Sequence, residues 1–213
     1  MNPPHLSATV HVVDDDPSML GALVRVLSAV GYTARGYRSA SEALAADIAE
    51  PRHEHASCFV LDMIMPGVDG LGLQAALEMR VTPPQVVFVT GYGDVSSTVK
   101  AMRAGAVDVL TKPVPQDRLV AAVGRALVRD HEACKLQEQL RGLRTRYDRL
   151  TLRERDVYER VAQGELNKQI AVNLGMAERT VKWHRAQIMD KLRASSLADL
   201  VRMSRHLPPY SED

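Results

Sequence analysis

The sequence predicts an α/β domain, an open five-stranded parallel sheet wound with helices on both faces, followed by a small all-α domain. Three observations predict it. Short Val-rich runs alternate with helical patterns through the first 128 residues, and helical periodicity takes over entirely afterwards. Charge divides the same way. Residues 1–128 carry 10 Lys and Arg against 13 Asp and Glu, whereas residues 151–205 carry 11 against 7. An acidic front and a basic back suggest two tasks, the second at a polyanion.

Each element has its own signal. The runs Thr9–Val13, Cys58–Leu61, Val86–Val89 and Val107–Leu110 are short, β-branched and nearly all apolar, as strands covered on both faces are. A weaker run lies at Thr33–Tyr37. Between them, Leu20, Leu23, Val24 and Leu27 follow i, i+3, i+4, i+7, in a helix that Asp16 caps, Pro17 opens and Gly31 stops. Ser41–Ile48, Leu71–Arg80 and Val95–Ala104 fill the later gaps, and Gly105 ends the last. A fifth helix after Pro115 buries Leu119, Val120, Val123 and Leu127.

Beyond it the chain runs on in helix formers, with only Gly142 against them. Leu136, Leu140, Leu143, Tyr147 and Leu150 alternate spacings of 4 and 3, a seam of the coiled-coil type. Two readings stay open, a helix that dimerises and a solvated helix that leans on either domain. Thr151 with Glu154 forms a capping box for a helix ending near Gly164. Asn167 caps a short helix to about Leu174, and Gly175 turns the chain into a longer one from Glu178 to Leu192. A final helix covers Leu197–His206, ahead of a frayed Pro208–Asp213 tail. Short helix, Gly turn, long helix is the helix-turn-helix outline.

Composition narrows the class. With 213 residues, 46% hydrophobic and 25% charged, the chain has the balance of an ordinary globular protein of about two domains. No apolar run approaches the roughly 18 residues of a membrane span. Met1–His5 offers neither the charge nor the apolar core of a secretory signal. Cys58 and Cys134 supply no disulfide framework and no metal-ligand spacing, so a reducing, cytoplasmic location is expected. Cys58 reads as core, and Cys134 falls off the proposed seam.

The chemistry gathers at the strand ends, where parallel sheets bind ligands. Asp14 and Asp15 end the first strand, Asp62 the third, Thr90 the fourth and Lys112 the fifth. Carboxylates brought together repel, which favours a hard divalent cation such as Mg²⁺. A hydroxyl and an ammonium facing them complete a site for a phosphoryl group.

The segments VDDD (13–16), LDMIMPGVDG (61–70), VTGYGD (89–94) and GAVDVLTKP (105–113) resemble the receiver domain of two-component response regulators, over about residues 8–128. The resemblance implies a flavodoxin-like fold and a phosphoacceptor at Asp62, with Mg²⁺ held by Asp14, Asp15, Asp62 and the main-chain carbonyl of Ile64. It further implies Thr90 as the hydroxyl that senses the phosphoryl group, Lys112 as its charge partner and a cis peptide before Pro113. Two positions depart from the family pattern. Val109 stands where an aromatic switch residue is usual, leaving the switch to Tyr92 or to movement of the loop after the fourth strand. Ile64 is apolar where a polar side chain is common, which bears on dephosphorylation.

The segment LTLRERDVYERVAQGELNKQIAVNLGMAERTVKWHRAQIMDKL (150–192) resembles the four-helix DNA-binding domain of the LuxR/NarL/FixJ group, over residues 151–206, with 129–150 as a helical linker. The order of the domains makes the FixJ-like subclass the nearest likeness. On the longer helix, Val181, Ile188 and Leu192 form one stripe, expected to pack on Ile170, Leu174 and Val157. Lys182 and Ala186, flanked by Arg179 and Trp183, form another, expected to face the major groove. Lys182 is a base or phosphate contact; Lys168, Arg179 and Arg185 are phosphate contacts, and Thr180 completes the set. Trp183 meets either DNA or another protein surface. His184 is a structural residue that hydrogen-bonds locally.

Together these imply a sensor histidine kinase as partner, promoter DNA as target, a homodimer on activation and contact with RNA polymerase, with no membrane and no turnover activity. Two rivals remain. One is a DNA-binding module that ignores phosphate, which Val109 favours. The other is a Mg²⁺-dependent phosphatase or phosphotransferase, for which the chain has no lid or specificity insertion.

Overall fold

The computed structural model describes residues 8–49, 56–91 and 95–207. The expectations for Met1–His5, Tyr92 and the Pro208–Asp213 tail lie outside the described residues. The chain divides into two compact units, Met1–Lys135 and Leu136–Asp213.

In the first unit the strands are β1 (Thr9–Val13), β2 (Thr33–Tyr37), β3 (Ser57–Asp62), β4 (Gln85–Thr90) and β5 (Asp108–Thr111). All pair in parallel, in the order β2-β1-β3-β4-β5. The helices between them are α1 (Pro17–Ala29), α2 (Ala40–Ala49), α3 (Gly70–Glu78) and α4 (Val95–Arg103). Strand alternation feeds two cores. Val10, Val12, Cys58, Val60, Val87 and Val89 pack with Leu23 and Leu27 of α1, and with Leu119, Ala122, Val123, Ala126 and Leu127 from the helix that follows β5. Val13, Phe59, Leu61, Val86 and Phe88 pack on the other face with Ala43, Leu73, Leu77 and Ala101 of α2, α3 and α4. Caps explain the starts: Asp16 Oδ1 accepts from Ser18 N at 2.8 Å, with Pro17 first in α1, and Asp69 Oδ1 accepts from Gly72 N at 2.8 Å to open α3. Gly31 and Gly105, at φ +97° and +85°, carry the left-handed turns after α1 and α4.

The helix after β5 is longer than its neighbours. α5 runs unbroken from Gln116 to Tyr147, through residue 128 and across the division between the two units. Its apolar stripe in the first unit ends on a carboxylate. Asp130, three residues past Leu127, is fully buried, and its Oδ2 accepts the backbone N–H of Ser57 at 2.8 Å. The proposed linker seam is split. Leu136 is exposed and Leu140 half-buried, but Leu143, Tyr147 and Leu150 are buried in the core of the second unit. Of the two readings, the helix that leans on a domain describes residues 143–150.

The second unit holds α6 (Leu152–Ala162), α7 (Asn167–Leu174), α8 (Glu178–Leu192) and α9 (Leu197–Ser204) around one core. The Thr151 capping box is complete: Thr151 N donates to Glu154 Oε2 at 2.7 Å, and Glu154 N to Thr151 Oγ1 at 3.2 Å. At α7 the expectation needs correcting. Leu166, not Asn167, is the N-cap, and its N–H donates to Gln169 Oε1 at 2.8 Å. The Asn167 amide oxygen instead accepts from the Arg185 guanidinium. A polar first residue marks the start of a helix without saying which of two adjacent positions is the cap.

Among the described residues, no helix is long and apolar enough to cross a membrane.

Candidate phosphoryl and DNA sites

Four neighbouring strands deliver the front site. β1 hands over to Asp14, which is 1% exposed, and then to the exposed Asp15. Asp14 N donates to Tyr37 O at 3.2 Å, and its Oδ1 accepts from Asp16 N at 3.0 Å, so the carboxylate is fixed by its own loop. β3 ends on Asp62. Ligand oxygens of Asp14, Asp15 and Asp62 lie within 4.8 Å of one another. From β5, the Lys112 ammonium donates to Asp14 Oδ2 at 2.9 Å and to Asp62 Oδ2 at 2.7 Å. The Lys112–Pro113 peptide is cis, as the resemblance implies. Lys112 N donates to Thr90 O at 2.7 Å, which ties the ends of β4 and β5 together, and Thr90 is 1% exposed.

Electrostatics follow from that packing. Burial pushes the Asp14 carboxyl above its ordinary range, and the Lys112 and Asp16 hydrogen bonds offset this only in part. Burial also works against the Lys112 charge, yet its bonds to Asp62 and Asp14 prevail and hold the ammonium above its usual value. The second oxygen of Asp62, Oδ1, accepts from Ile64 N at 3.3 Å, while the Ile64 side chain is 65% exposed. Three carboxylates that offer oxygen donors so close together could hold a hard divalent ion. Val109, paired with Phe88 across β4–β5, is half-buried against the second core.

In the second unit α8 separates its faces as expected. Val181, Ile188 and Leu192 are fully buried with Ile170 and Val157, and Leu174 packs against them. Arg179, Lys182, Trp183 and Ala186 are exposed, as is Lys168 on α7. Thr180 and Arg185 are half-buried, the latter with its guanidinium on Asn167. Lys182 Nζ lies 3.4 Å from Glu178 Oε1, an exposed pair of little energetic weight.

Residues 10–124 match the response regulator receiver domain family, and residues 148–204 match the luxR family of bacterial regulatory proteins. The chain belongs to the response regulators. Nodulation protein W of Bradyrhizobium diazoefficiens is 41% identical over 200 residues, 94% of this chain and 86% of that protein. The transcriptional regulatory protein FixJ of Azorhizobium caulinodans is 38% identical over 198 residues, 93% of this chain and 92% of its own. Among solved structures, the response regulator StyR covers 94% of this chain and all of its own, at 38% identity and a TM-score of 0.77. This response regulator therefore couples a receiver domain to a LuxR-type DNA-binding domain that regulates transcription.

Sequence reasoning missed two residues that shape the receiver. A Cβ on Gly70 would stand 2.3 Å from the carbonyl oxygen of Asp62, so only glycine lets α3 start there. The D-G pair at 69–70 was the available signal. Asp130 was the other, and an acid on an apolar helical stripe announces it. His184, expected to hydrogen-bond locally, instead sets its ring edge-on against Trp183, with centroids 4.9 Å apart at 69°. Its Nδ1 is buried without a partner among the described residues.

Proposed function

We propose that a sensor histidine kinase delivers its phosphoryl group to Asp62, and that this controls dimerisation and binding to promoter DNA. One observation carries the reading: Lys112 bridges Asp14 and Asp62 while Asp14, Asp15 and Asp62 converge within 4.8 Å. An Asp62 oxygen attacks phosphorus, the P–N bond to the kinase histidine breaks, and the histidine nitrogen keeps the electron pair. Asp14, Asp15, Asp62 and the Ile64 carbonyl would hold Mg²⁺, which supplies neutralisation of the crowded oxygens when bound. Lys112 already contacts Asp62 and stays as counter-charge to the product. Thr90, buried beside it, is the hydroxyl that answers to the new oxygens. The acyl phosphate then hydrolyses, so Asp62 is labelled stoichiometrically and the domain is no turnover enzyme.

Activation makes a homodimer. On α4, Val95, Val99 and Met102 are exposed apolar residues one turn apart, the spacing of a face that another surface covers. Two output domains then bind half-sites, α8 entering the major groove, with Lys182 and Trp183 at the bases and Lys168, Arg179, Thr180 and Arg185 at the backbone. A paired module gains from effective concentration what a single one lacks. Promoter DNA places this activity in the cytoplasm, and RNA polymerase is the partner it addresses.

The test is sedimentation of wild type and Asp62→Asn with Mg²⁺, with and without beryllofluoride or acetyl phosphate. A monomer-to-dimer shift in wild type alone supports the reading. A dimer that ignores both reagents refutes phosphate control.

A further inference from the structure

We propose that Trp183 is a specificity-determining residue of the output domain and reads the C5-methyl group of a thymine in the major groove. This rests on the DNA-binding reading above and names which sequences it selects. Trp183 is the only Trp of the chain and is 57% exposed. At roughly 100° per residue it lies about 160° around α8 from Val181, nearly opposite the buried stripe. Core packing therefore does not account for it, and the core that Val181, Ile188 and Leu192 build omits it.

Its neighbours say what it meets. Arg179, one turn back, and Lys182, adjacent, are both exposed, and Lys168 stands exposed on α7. A large apolar ring among cations fits a polyanion that also offers an apolar spot. Ala186, three residues on, presents only a methyl group, so the indole stands above its surroundings. The His184 ring braces one side of it, which reduces the rotamer freedom lost on binding. On the major-groove edges of the four base pairs, the thymine methyl is the apolar group available to such a ring.

The experiment begins with duplexes selected from a random pool by the full-length protein, activated with Mg²⁺ and beryllofluoride. Each thymine of the selected site is then replaced singly by deoxyuridine, which removes only the methyl, and affinity is measured at fixed salt. At one position per half-site the change weakens wild type roughly fourfold, the worth of one buried methyl, and leaves Trp183→Ala indifferent. Trp183→Phe, which keeps an aromatic face, retains the sensitivity. If no replacement weakens wild type, or if every replacement weakens wild type and Trp183→Ala equally, the proposal is wrong while DNA binding stands. If Trp183→Ala keeps full affinity and methyl sensitivity but loses transcription activation, Trp183 serves a protein surface and the proposal is likewise wrong. Failure to enrich any duplex would overturn the DNA-binding reading, and the proposal with it.

Discussion

Replacing Gly70 by Ala puts a methyl carbon where no atom fits. It would lie 2.3 Å from the Asp62 carbonyl oxygen, 2.9 Å from Phe88 Cε1 and 3.1 Å from Met63 Cα. None of these neighbours can swing aside, because two are backbone and the third belongs to a fully buried ring. Restoring ordinary contact requires the start of α3 and the end of β3 to part by about 1 Å. That separation also loosens the bond from Gly70 N to Met63 O, now 3.2 Å. Overpacking of this kind costs about 1–3 kcal/mol, and the better helix propensity of Ala returns at most about 1 kcal/mol. The net expectation is a receiver destabilised by about 1–2 kcal/mol. Asp62 is the proposed nucleophile, and a shift of about 1 Å can cost on the order of 100-fold in rate. Calorimetry of the full chain, together with the rate of labelling by acetyl phosphate, measures both effects. An unchanged receiver transition with an unchanged labelling rate would refute the reasoning.

Other substitutions test other parts of the molecule. Asp130→Ala removes the acceptor of the buried Ser57 N–H and should cost the receiver about 1–3 kcal/mol, with faster hydrogen exchange at Ser57 as the site-specific readout. Asp130→Asn, which keeps one acceptor oxygen, should cost less. In the output domain, burial works against the Glu154 charge, but bonds from Lys191 and from the Thr151 backbone hold its carboxyl below the usual range. The ionised form is therefore favoured by folding: its contribution is complete above the unfolded value of about 4.3 and is lost as pH falls through the lower folded value. Glu154→Gln should lower the urea midpoint of the output domain at pH 7, and the difference from wild type should vanish in acid. Lys182→Ala should weaken binding by about 1–3 kcal/mol and relax specificity at one base position per half-site; equal weakening of all duplexes, with a salt slope lower by about one per subunit, would instead make Lys182 a phosphate contact.

The strands were legible because buried parallel strands are nearly uninterrupted Val-rich runs, and the five runs fell within about a residue of their observed bounds. The candidate site was legible for a related reason: each of its side chains lies at the end of a strand or within two residues beyond it, and strand ends in a parallel sheet converge. Proximity could be anticipated from that, but not the pattern of bonds. Nothing in the local sequence says that Lys112 spans both Asp14 and Asp62, or that Asn167 is spent on Arg185 rather than on a helix start. Those depend on pairings between residues far apart in the chain. The seam through Leu136 and Leu150 shows the opposite limit. A 4-3 spacing specifies an apolar face on a helix but not its partner, and here Leu143, Tyr147 and Leu150 find theirs in their own domain.

The strand that carries the proposed phosphoacceptor is held at both ends. At its start, Ser57 is moored to Asp130 of α5, and at its finish Asp62 is moored to Lys112. Between them Cys58, Phe59, Val60 and Leu61 are wholly buried, with β1 on one side and β4 on the other. Such a strand behaves as a fixed beam rather than a piston. New charge at Asp62 is met by the ends of the neighbouring strands, where Thr90 and Thr111 form the last rung between β4 and β5 and Lys112 follows directly. Loosening either mooring should therefore displace the proposed phosphoacceptor, the distant one at Asp130 as well as the near one at Lys112.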